Sequence, residues 1–537
     1  MADITTNETI AVLGEERELK REINWLHAVG SSTGAPALVL FSIGAIATTV
    51  GSPSWLVWVV SVVIGAFQMF TYGEVVAMFP EKSGGAALGG SLAWAPYAKA
   101  APAMSAWCYW IAWTPVLSIG TSIASGYILT SFFAPDAAIN TWELPLVHLD
   151  FIQKDLYLRV SANFVVSLVL LLIVFVIQHG GILRASRFQL IFAVASLLPL
   201  GIVGIVPLLT GNAPVANLFP LVPLTHDPSG AIVPGAWDMA GITLFVGGVG
   251  IAAWSSYGIE SSLVYAREFK NPNVDVFKAA LATAAICLFF YTIVPISFQA
   301  FLGLQGLADP HITDGSGVAA AMANMVGTSK IVFNVIVAMM ILTLLLSVLT
   351  AMAGSSRTLY QASVDGFLPK YLSKTNSHGI PERAMWTDLA VNVVLLTMSN
   401  VVFLLAISNV CYLIFNFICL ESGWIHRMDR PARPRPFRSP TWLIAVGAFC
   451  GFLNVFFIGM GSDVFGAGVL TWGLVTAFLV LPFFWYRHYI VDKGRFPSFL
   501  TIALDGAGGQ KNAGVWPYVA IAAAVVVLAV GKYLSVT

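Results

Sequence analysis

Residues 30–36 read Gly30-Ser31-Ser32-Thr33-Gly34-Ala35-Pro36, and they fall inside an apolar run that extends over residues 26–50. Glycine weakens a helix and proline lacks the amide hydrogen that continues one, so a helix is expected to come apart here. A second such place lies in the sixth apolar run, residues 240–265. There Gly247-Gly248-Val249-Gly250 is followed by Trp254-Ser255-Ser256-Tyr257-Gly258-Ile259-Glu260. Peptide groups freed at membrane depth cannot face lipid; they must line protein or a water-filled cavity. Breaks in the first and sixth spans occupy equivalent places in two five-helix halves. That arrangement points to inverted repeats with a binding site at the midplane. Close-packing glycines of the small-xxx-small kind are the plainer account, but it is weaker for a matched pair than for either break alone.

The composition agrees with a membrane-spanning chain. Of 537 residues 58% are hydrophobic and only 10% charged, whereas soluble domains carry roughly a quarter charged residues. Apolar runs fall at 26–50, 54–78, 102–133, 158–179, 187–210, 240–265, 278–303, 331–360, 385–402, 404–426, 441–461, 466–488 and 515–535. A helix of about 20 residues crosses the hydrocarbon core, so 12 to 13 transmembrane helices are expected. Continuous apolar runs exclude a β-barrel, whose strands are short and alternating. The formal net charge is zero, which argues against a nucleic-acid partner. Cys108, Cys287, Cys411, Cys419 and Cys450 all fall in apolar runs. They have no paired spacing for zinc or disulfides, so they read as buried packing residues. No metal site is assigned.

The first two dozen residues are polar with both charge signs, unlike a secretory signal. The N-terminus is therefore expected in the cytoplasm. With alternating loops, only Lys154, Arg159, Lys330 and Lys532 of the 27 Lys and Arg then fall outside. The positive-inside rule favours that orientation in an inner or plasma membrane. The expected organisation is a cytoplasmic segment 1–25, a first repeat 26–210, a second repeat 238–426, and C-terminal helices over 441–537.

Four stretches then resemble the amino acid–polyamine–organocation transporter superfamily. TYGEVVAMFPEKSGG after the second helix is similar to the family's Y-A-E-L … F-P-x-S-G-G signature. WSSYGIESSLVYAREFKNP resembles F/W-x-x-x-G-x-E … E-x-K-N-P, and GSSRTLYQASVDGFLPKYLSK resembles S-R-x-L-Y-x-x-A-x-D-G-x-L-P. RPRPFRSP, after the tenth helix, is like R-P-F-R-x-P. Each is weak alone; four in order, on the expected cytoplasmic side, are specific. A phosphate-loop reading of KSGGAALGG fails, because no strand precedes it and no Gly-Lys-Ser/Thr ending follows.

The resemblance implies an all-α, LeuT-like 5+5 inverted-repeat core with discontinuous first and sixth helices. It implies secondary transport of an amino acid or related amine by alternating access, as symport or exchange, without a cofactor. Carried over, Ser31, Ser32, Gly34 and Ala35 would hold a carboxylate, and Trp254, Ser255 and Ser256 the ammonium and side chain. Trp254 aligns with a gating aromatic, and the run W-S-x-x-G-I/V-E-S is especially similar to bacterial arginine–agmatine exchangers. Where the family usually reads Gly-x-Gly, this chain reads Gly34-Ala35-Pro36. One backbone donor is missing, which leaves an amine substrate open.

Glu260 is the ionisable group at depth, where charge is expensive and usually functional; a structural hydrogen-bonded role is the alternative. Ser118, Ser122 and Ser125 share one face of the third helix, and Asn409, Tyr412 and Asn416 one face of the tenth. Such faces line a cavity or bond neighbouring helices. Many proton-coupled relatives carry a Lys in the fifth helix, and here that place reads as Ser196. Ser196, Ser347 and Thr350 are hydroxyls for a sodium ion, which in related folds sits at the first-helix break. Sodium, proton and exchange all remain open. The lack of other acidic residues at the midplane of the third, eighth and tenth helices favours a neutral substrate. A channel lacks a continuous polar pore here. An enzyme lacks a nucleophile–base or metal constellation. A nutrient sensor on a transporter fold lacks a long soluble tail.

Overall fold

The structure is a computed structural model that describes residues 21–134, 137–180, 182–227, 232–306, 309–313, 315–327, 329–498, 500 and 511–536. The reading of residues 1–20 as a cytoplasmic segment lies outside the described residues. Eleven helices among the described residues are long and apolar enough to cross a membrane. The first four are Trp25–Val50, Ser54–Ala77, Ala101–Phe132 and Ala162–His179. After them come Met239–Glu268, Pro272–Gly303, Lys330–Val364 and Val401–Asp429, then Thr441–Phe465, Val469–Val491 and Trp516–Leu534. Helices Ile182–Thr210 and Glu382–Leu395 stand in the fifth and ninth places. The chain is an all-α, multi-pass membrane protein. Its strands form two small antiparallel hairpins between spans, Glu143–His148 with Tyr157–Ser161 and Leu224–His226 with Ile232–Pro234.

Two boundaries differ from the sequence reading. The ninth helix ends at Leu395 and the tenth starts at Val401, not at 402 and 404. Asn400 sets this turn by accepting the Phe403 amide with its side chain at 3.0 Å, which satisfies a donor that the helix start leaves open. The third span bends where Pro115 opens its second half, Pro115–Phe132, after Ala101–Trp113. The last apolar run is a packed helix. A Cβ on Gly459 would lie 2.3 Å from Leu528 O, and one on Gly531 would lie 3.0 Å from Met460 N. Two backbones touch here because neither residue has a side chain.

A cluster of paired cations sits at one end of the bundle. Glu74, at the end of the second span, is buried. It receives Arg427 through Nε at 2.9 Å and Nη2 at 2.6 Å, Arg435 Nε at 3.2 Å, and the Ser439 amide at 2.8 Å. Lys82 pairs with Asp365 at 2.6 Å. The chain just before the first span is strapped to this end, because the Ile23 amide donates to Glu268 O and Lys270 N donates to Ile23 O.

Removing one partner of a buried ion pair leaves the other charge uncompensated, at about 3–5 kcal/mol. Glu74→Ala strands two guanidinium groups. It is expected to lower the melting temperature in detergent well beyond the effect of Glu143→Ala, whose pair with Arg159 is partly exposed. Differential scanning fluorimetry of the two variants checks this.

Candidate functional site

The first span breaks where its glycines predict. A helix over Trp25–Ser32 ends, a turn follows, a 3-10 turn covers Pro36–Leu38, and the helix resumes over Val39–Val50. The amides of Thr33, Ala35, Ala37 and Leu38 fold back onto Gly30, Ser32, Gly34 and Ala35 carbonyls. The Ala35 donor expected to hold a carboxylate is therefore spent inside the turn, and Pro36 offers none. What the break presents to its neighbours is carbonyl oxygen. Thr350 Oγ1 donates to Ser31 O at 2.6 Å, and Ser347 Oγ donates to Gly34 O at 2.8 Å. Gly34 permits that approach, since a Cβ there would sit 2.5 Å from Thr350 Oγ1 and 2.7 Å from Leu346 O.

The sixth span is an α-helix over Met239–Ser256 and then a 3-10 helix over Gly258–Glu268. Runs of 3-10 beyond three or four residues are uncommon and mark hinges or strain. Both breaks meet at Tyr291 of the seventh span. Its hydroxyl lies 2.6 Å from Ala35 O and 2.8 Å from Ser255 O, and its ring stacks on Trp58.

Between the breaks lies unfilled space of about 160 Å³, divided too finely to hold water, lined by Leu38, Ala112, Trp113, Val116, Trp254 and Tyr412. Trp254 is 3% exposed and packs beside Phe41, and its indole N–H donates to Ala112 O at 3.0 Å. Glu260 is joined to two of the lining residues. Its Oε1 accepts from Tyr412 OH at 2.8 Å and from Trp113 Nε1 at 3.2 Å. Its Oε2 is buried without a hydrogen-bond partner among the described atoms. The arrangement is an apolar, aromatic box with one carboxylate at its edge. An organic solute fits only when the walls move apart.

Other expected site residues are placed elsewhere. Ser118 donates its amide to Asn392, and Ser122 donates its hydroxyl to Asn163. The polar face of the third span therefore turns to the fourth and ninth helices rather than the box. Apolar surroundings reward that interhelical pairing. Ser255 Oγ donates to Leu38 O at 3.1 Å, and Ser256 Oγ lies 2.9 Å from Ser61 Oγ. These hydroxyls brace helices and do not line the space. Asn409 donates to Gly250 O at 2.9 Å, so of the tenth-span face only Tyr412 reaches the box. Ser31 and Gly34 contribute carbonyls to the eighth span, and the Ser32 hydroxyl is buried without a partner among the described atoms. Ser196 lies on the fifth helix, with its side chain outside the described residues.

Several groups escaped the sequence reading. Ala112, Trp113 and Val116 lie on the face of the third span that carries no polar pattern. Tyr291 gave no signal, being one aromatic in an apolar run. Asp388 on the ninth helix is buried and accepts from Trp110 Nε1 at 2.5 Å, Thr114 Oγ1 at 3.0 Å and Ser355 Oγ at 2.5 Å. It ties the third, eighth and ninth helices. Arg357 of the eighth span forks onto Glu268 at 2.7 and 3.0 Å, both side chains being 0–1% exposed. This Arg and Glu belong to the S-R-x-L-Y and E-x-K-N-P stretches, a pairing that spacing alone does not reveal.

Deleting the Tyr291 hydroxyl removes a side-chain donor that joins the two breaks, while Ala35 O keeps the Leu38 amide, and a lost hydrogen bond costs about 0.5–1.5 kcal/mol. Tyr291→Phe is expected to melt several degrees below the unaltered protein. Trp58→Phe, which keeps a ring against Tyr291, is expected to cost less. Thermal unfolding of the purified proteins compares them.

The profile described as amino acid permease matches residues 23–485. A lysine-specific permease, LysP, of Lactococcus lactis is 25% identical over 295 residues, covering 53% of this chain and 51% of the relative. A branched-chain amino acid permease, BcaP, of the same organism is 26% identical over 310 residues, covering 56% of this chain and 61% of the relative. An uncharacterized amino-acid permease of Schizosaccharomyces pombe is 23% identical over 307 residues, 53% of this chain and 52% of the relative. The matched stretches span about half to three fifths of each relative's length.

Proposed function

The chain belongs to the amino acid permease family, and from that premise we propose that it is a secondary transporter for a neutral amino acid with an apolar side chain. It works by alternating access in the cell membrane, with the N-terminus and the basic end in the cytoplasm. Two halves, residues 26–210 and 238–426, contribute one interrupted span each. The observation that carries the substrate class is the box itself. Five of its six lining residues, Leu38, Ala112, Trp113, Val116 and Trp254, present hydrocarbon or aromatic surface. Such a surface favours a branched aliphatic side chain through burial of apolar area, at about 25 cal/mol per Å². The relatives are named for opposite classes, lysine and branched-chain; the lining sides with the second.

A second reading is kept by one atom. Glu260 Oε2 lacks a donor, so a cationic side chain or amine could supply it. On either reading we take the Arg357–Glu268 pair and the Ile23–Glu268 strap as the closure on the proposed cytoplasmic side. Opening inward requires that pair to part. Trp254, hydrogen-bonded to Ala112 of the third span, is the gating aromatic.

Proteoliposomes preloaded with unlabelled substrate test the proposal by counterflow. Labelled leucine or valine is expected to accumulate, and lysine, arginine or their decarboxylated amines to compete at least tenfold less well. Preference for the cationic set would transfer the case to the second reading, and uptake of neither set would end the transporter reading. Glu260 is the group placed to exchange a proton as the box opens. Glu260→Gln is expected to keep transport while flattening its dependence on pH. An unchanged profile would assign Glu260 to bracing Trp113 and Tyr412 alone.

A further inference from the structure

One wall of the box is built on a bend. Ala112, Trp113 and Val116 line the space from the third span, and they flank the point where Pro115 follows Thr114. Pro115 has no amide to give to Ile111 O. The Leu117 amide bonds Thr114 O, three residues back, at 3.1 Å, and the Ser118 amide turns out of the helix to Asn392 Oδ1 at 3.0 Å. Proline and inserted side chains are what kink a helix. With bonds of its own ladder missing, the angle of this bend is held from outside.

The ninth helix holds it with two residues one turn apart. Asp388 accepts from Trp110 Nε1 at 2.5 Å before the bend and from Thr114 Oγ1 at 3.0 Å at its apex. Asn392 donates to Thr114 Oγ1 at 2.8 Å and takes the Ser118 amide beyond the bend. Its second amide hydrogen goes to Asp388 O at 2.8 Å, so its orientation is fixed. Trp110, Thr114 and Ser118 recur every fourth residue and share one face, while the box residues lie on the opposite one. Both Asp388 and Asn392 are 0% exposed. A carboxylate accepts hydrogen bonds and donates none, so it gathers donors from several helices; Ser355 Oγ of the eighth span is the third here, at 2.5 Å.

We propose that Asp388 and Asn392 are positioning residues that hold the third-span bend from behind, fix the wall of the box, and so set its preference for larger apolar side chains. This deepens the reading of the box as the substrate site and rests on it. Two bonds carry the position of the bend into the box, since Trp113 bonds Glu260 and Ala112 O takes the Trp254 indole. A leucine side chain gains from contact with a fixed wall, and an alanine side chain is too short to feel its loss.

The test is counterflow of leucine and of alanine with the full-length protein in liposomes. Asp388→Ala and Asn392→Ala are each expected to raise KM for leucine by about fivefold or more and KM for alanine by less than about twofold. Asp388→Asn keeps an oxygen for Trp110 and Thr114 and turns an amide to Ser355, and it is expected to restore the unaltered KM ratio. Lower maximal rates with the leucine-to-alanine KM ratio unchanged would reduce the pair to bracing and overturn the proposal. A second measurement needs no transport. The five native cysteines are buried, so a Val116→Cys protein in detergent reports the wall through its rate of reaction with a maleimide. Adding Asp388→Ala is expected to raise that rate by about fivefold or more, and adding Asp388→Asn to leave it unchanged; equal rates in all three proteins would overturn the proposal. If Asp388→Ala does not fold, Asn392→Ala decides in both measurements. Absence of counterflow for every amino acid would sink the reading of the substrate site, while the labelling rates would still decide whether the pair holds the wall.

Discussion

The carbonyl oxygens that two interrupted spans leave without helical partners are the constraint around which this bundle is organised. An unpaired peptide group in apolar surroundings costs several kcal/mol, so each break must draw donors from its neighbours. Three helices respond. Tyr291 bridges Ala35 O and Ser255 O, Thr350 and Ser347 take Ser31 O and Gly34 O, and Gln189 adds to Ser31 O. Inside the continuous helix Met239–Ser256, Ser61 donates to Val249 O and Asn409 to Gly250 O, while Ser255 reaches across to Leu38 O.

That explains which parts of the molecule were legible in its sequence. The breaks were visible at Gly34-Ala35-Pro36 and at Gly258 because glycine and proline act locally, through backbone donors and helix propensity; Gly247, Gly248 and Gly250, also read as a break point, lie in an unbroken helix and instead let Val464, Val57 and Phe457 pack close. Span lengths were visible because bilayer thickness fixes them. The destinations of hydroxyls were not. Ser118, Ser122 and Ser125 have the periodicity of a cavity-lining face, yet periodicity defines only a direction around the helix. What lies in that direction, here Asn163 and Asn392, depends on neighbours distant in the chain. The box was missed for the converse reason. Ala112, Trp113 and Val116 are indistinguishable in pattern from residues that face lipid or core. Asp388 was passed over because the ninth run was set too late, placing that carboxylate near a helix end instead of among three buried donors.

The basic end obeys the same economy of partners, with charges in place of carbonyls. Arg357 with Glu268, Lys82 with Asp365, and Glu74 with Arg427 and Arg435 are buried pairs between elements far apart in sequence. Buried pairs add little net stability against apolar replacements, but breaking one is costly. Each pair therefore fixes which elements lie together more than it adds net stability. The Arg357–Glu268 fork ties the eighth span to Glu268, the last residue of the 3-10 half of the sixth span, and that half is wound in a form poor in hydrogen-bond geometry.

A physical consequence follows for how a solute could be held. The amides of Thr33, Ala35, Ala37 and Leu38 are occupied by carbonyls of their own turn, and the space beside them is too small for an amino acid. A substrate carboxylate can gain those donors only by displacing the turn's internal bonds. Each bond so exchanged frees a carbonyl of the same break, which the substrate ammonium is suited to take. Binding and remodelling of the first-span turn are then one event, not a fit into a waiting cavity. Differential contact energy between states is what a ligand needs to shift a conformational equilibrium, and here it arises from the turn itself. On the proposed transport reading, binding of this kind would couple the solute to the first-span turn directly.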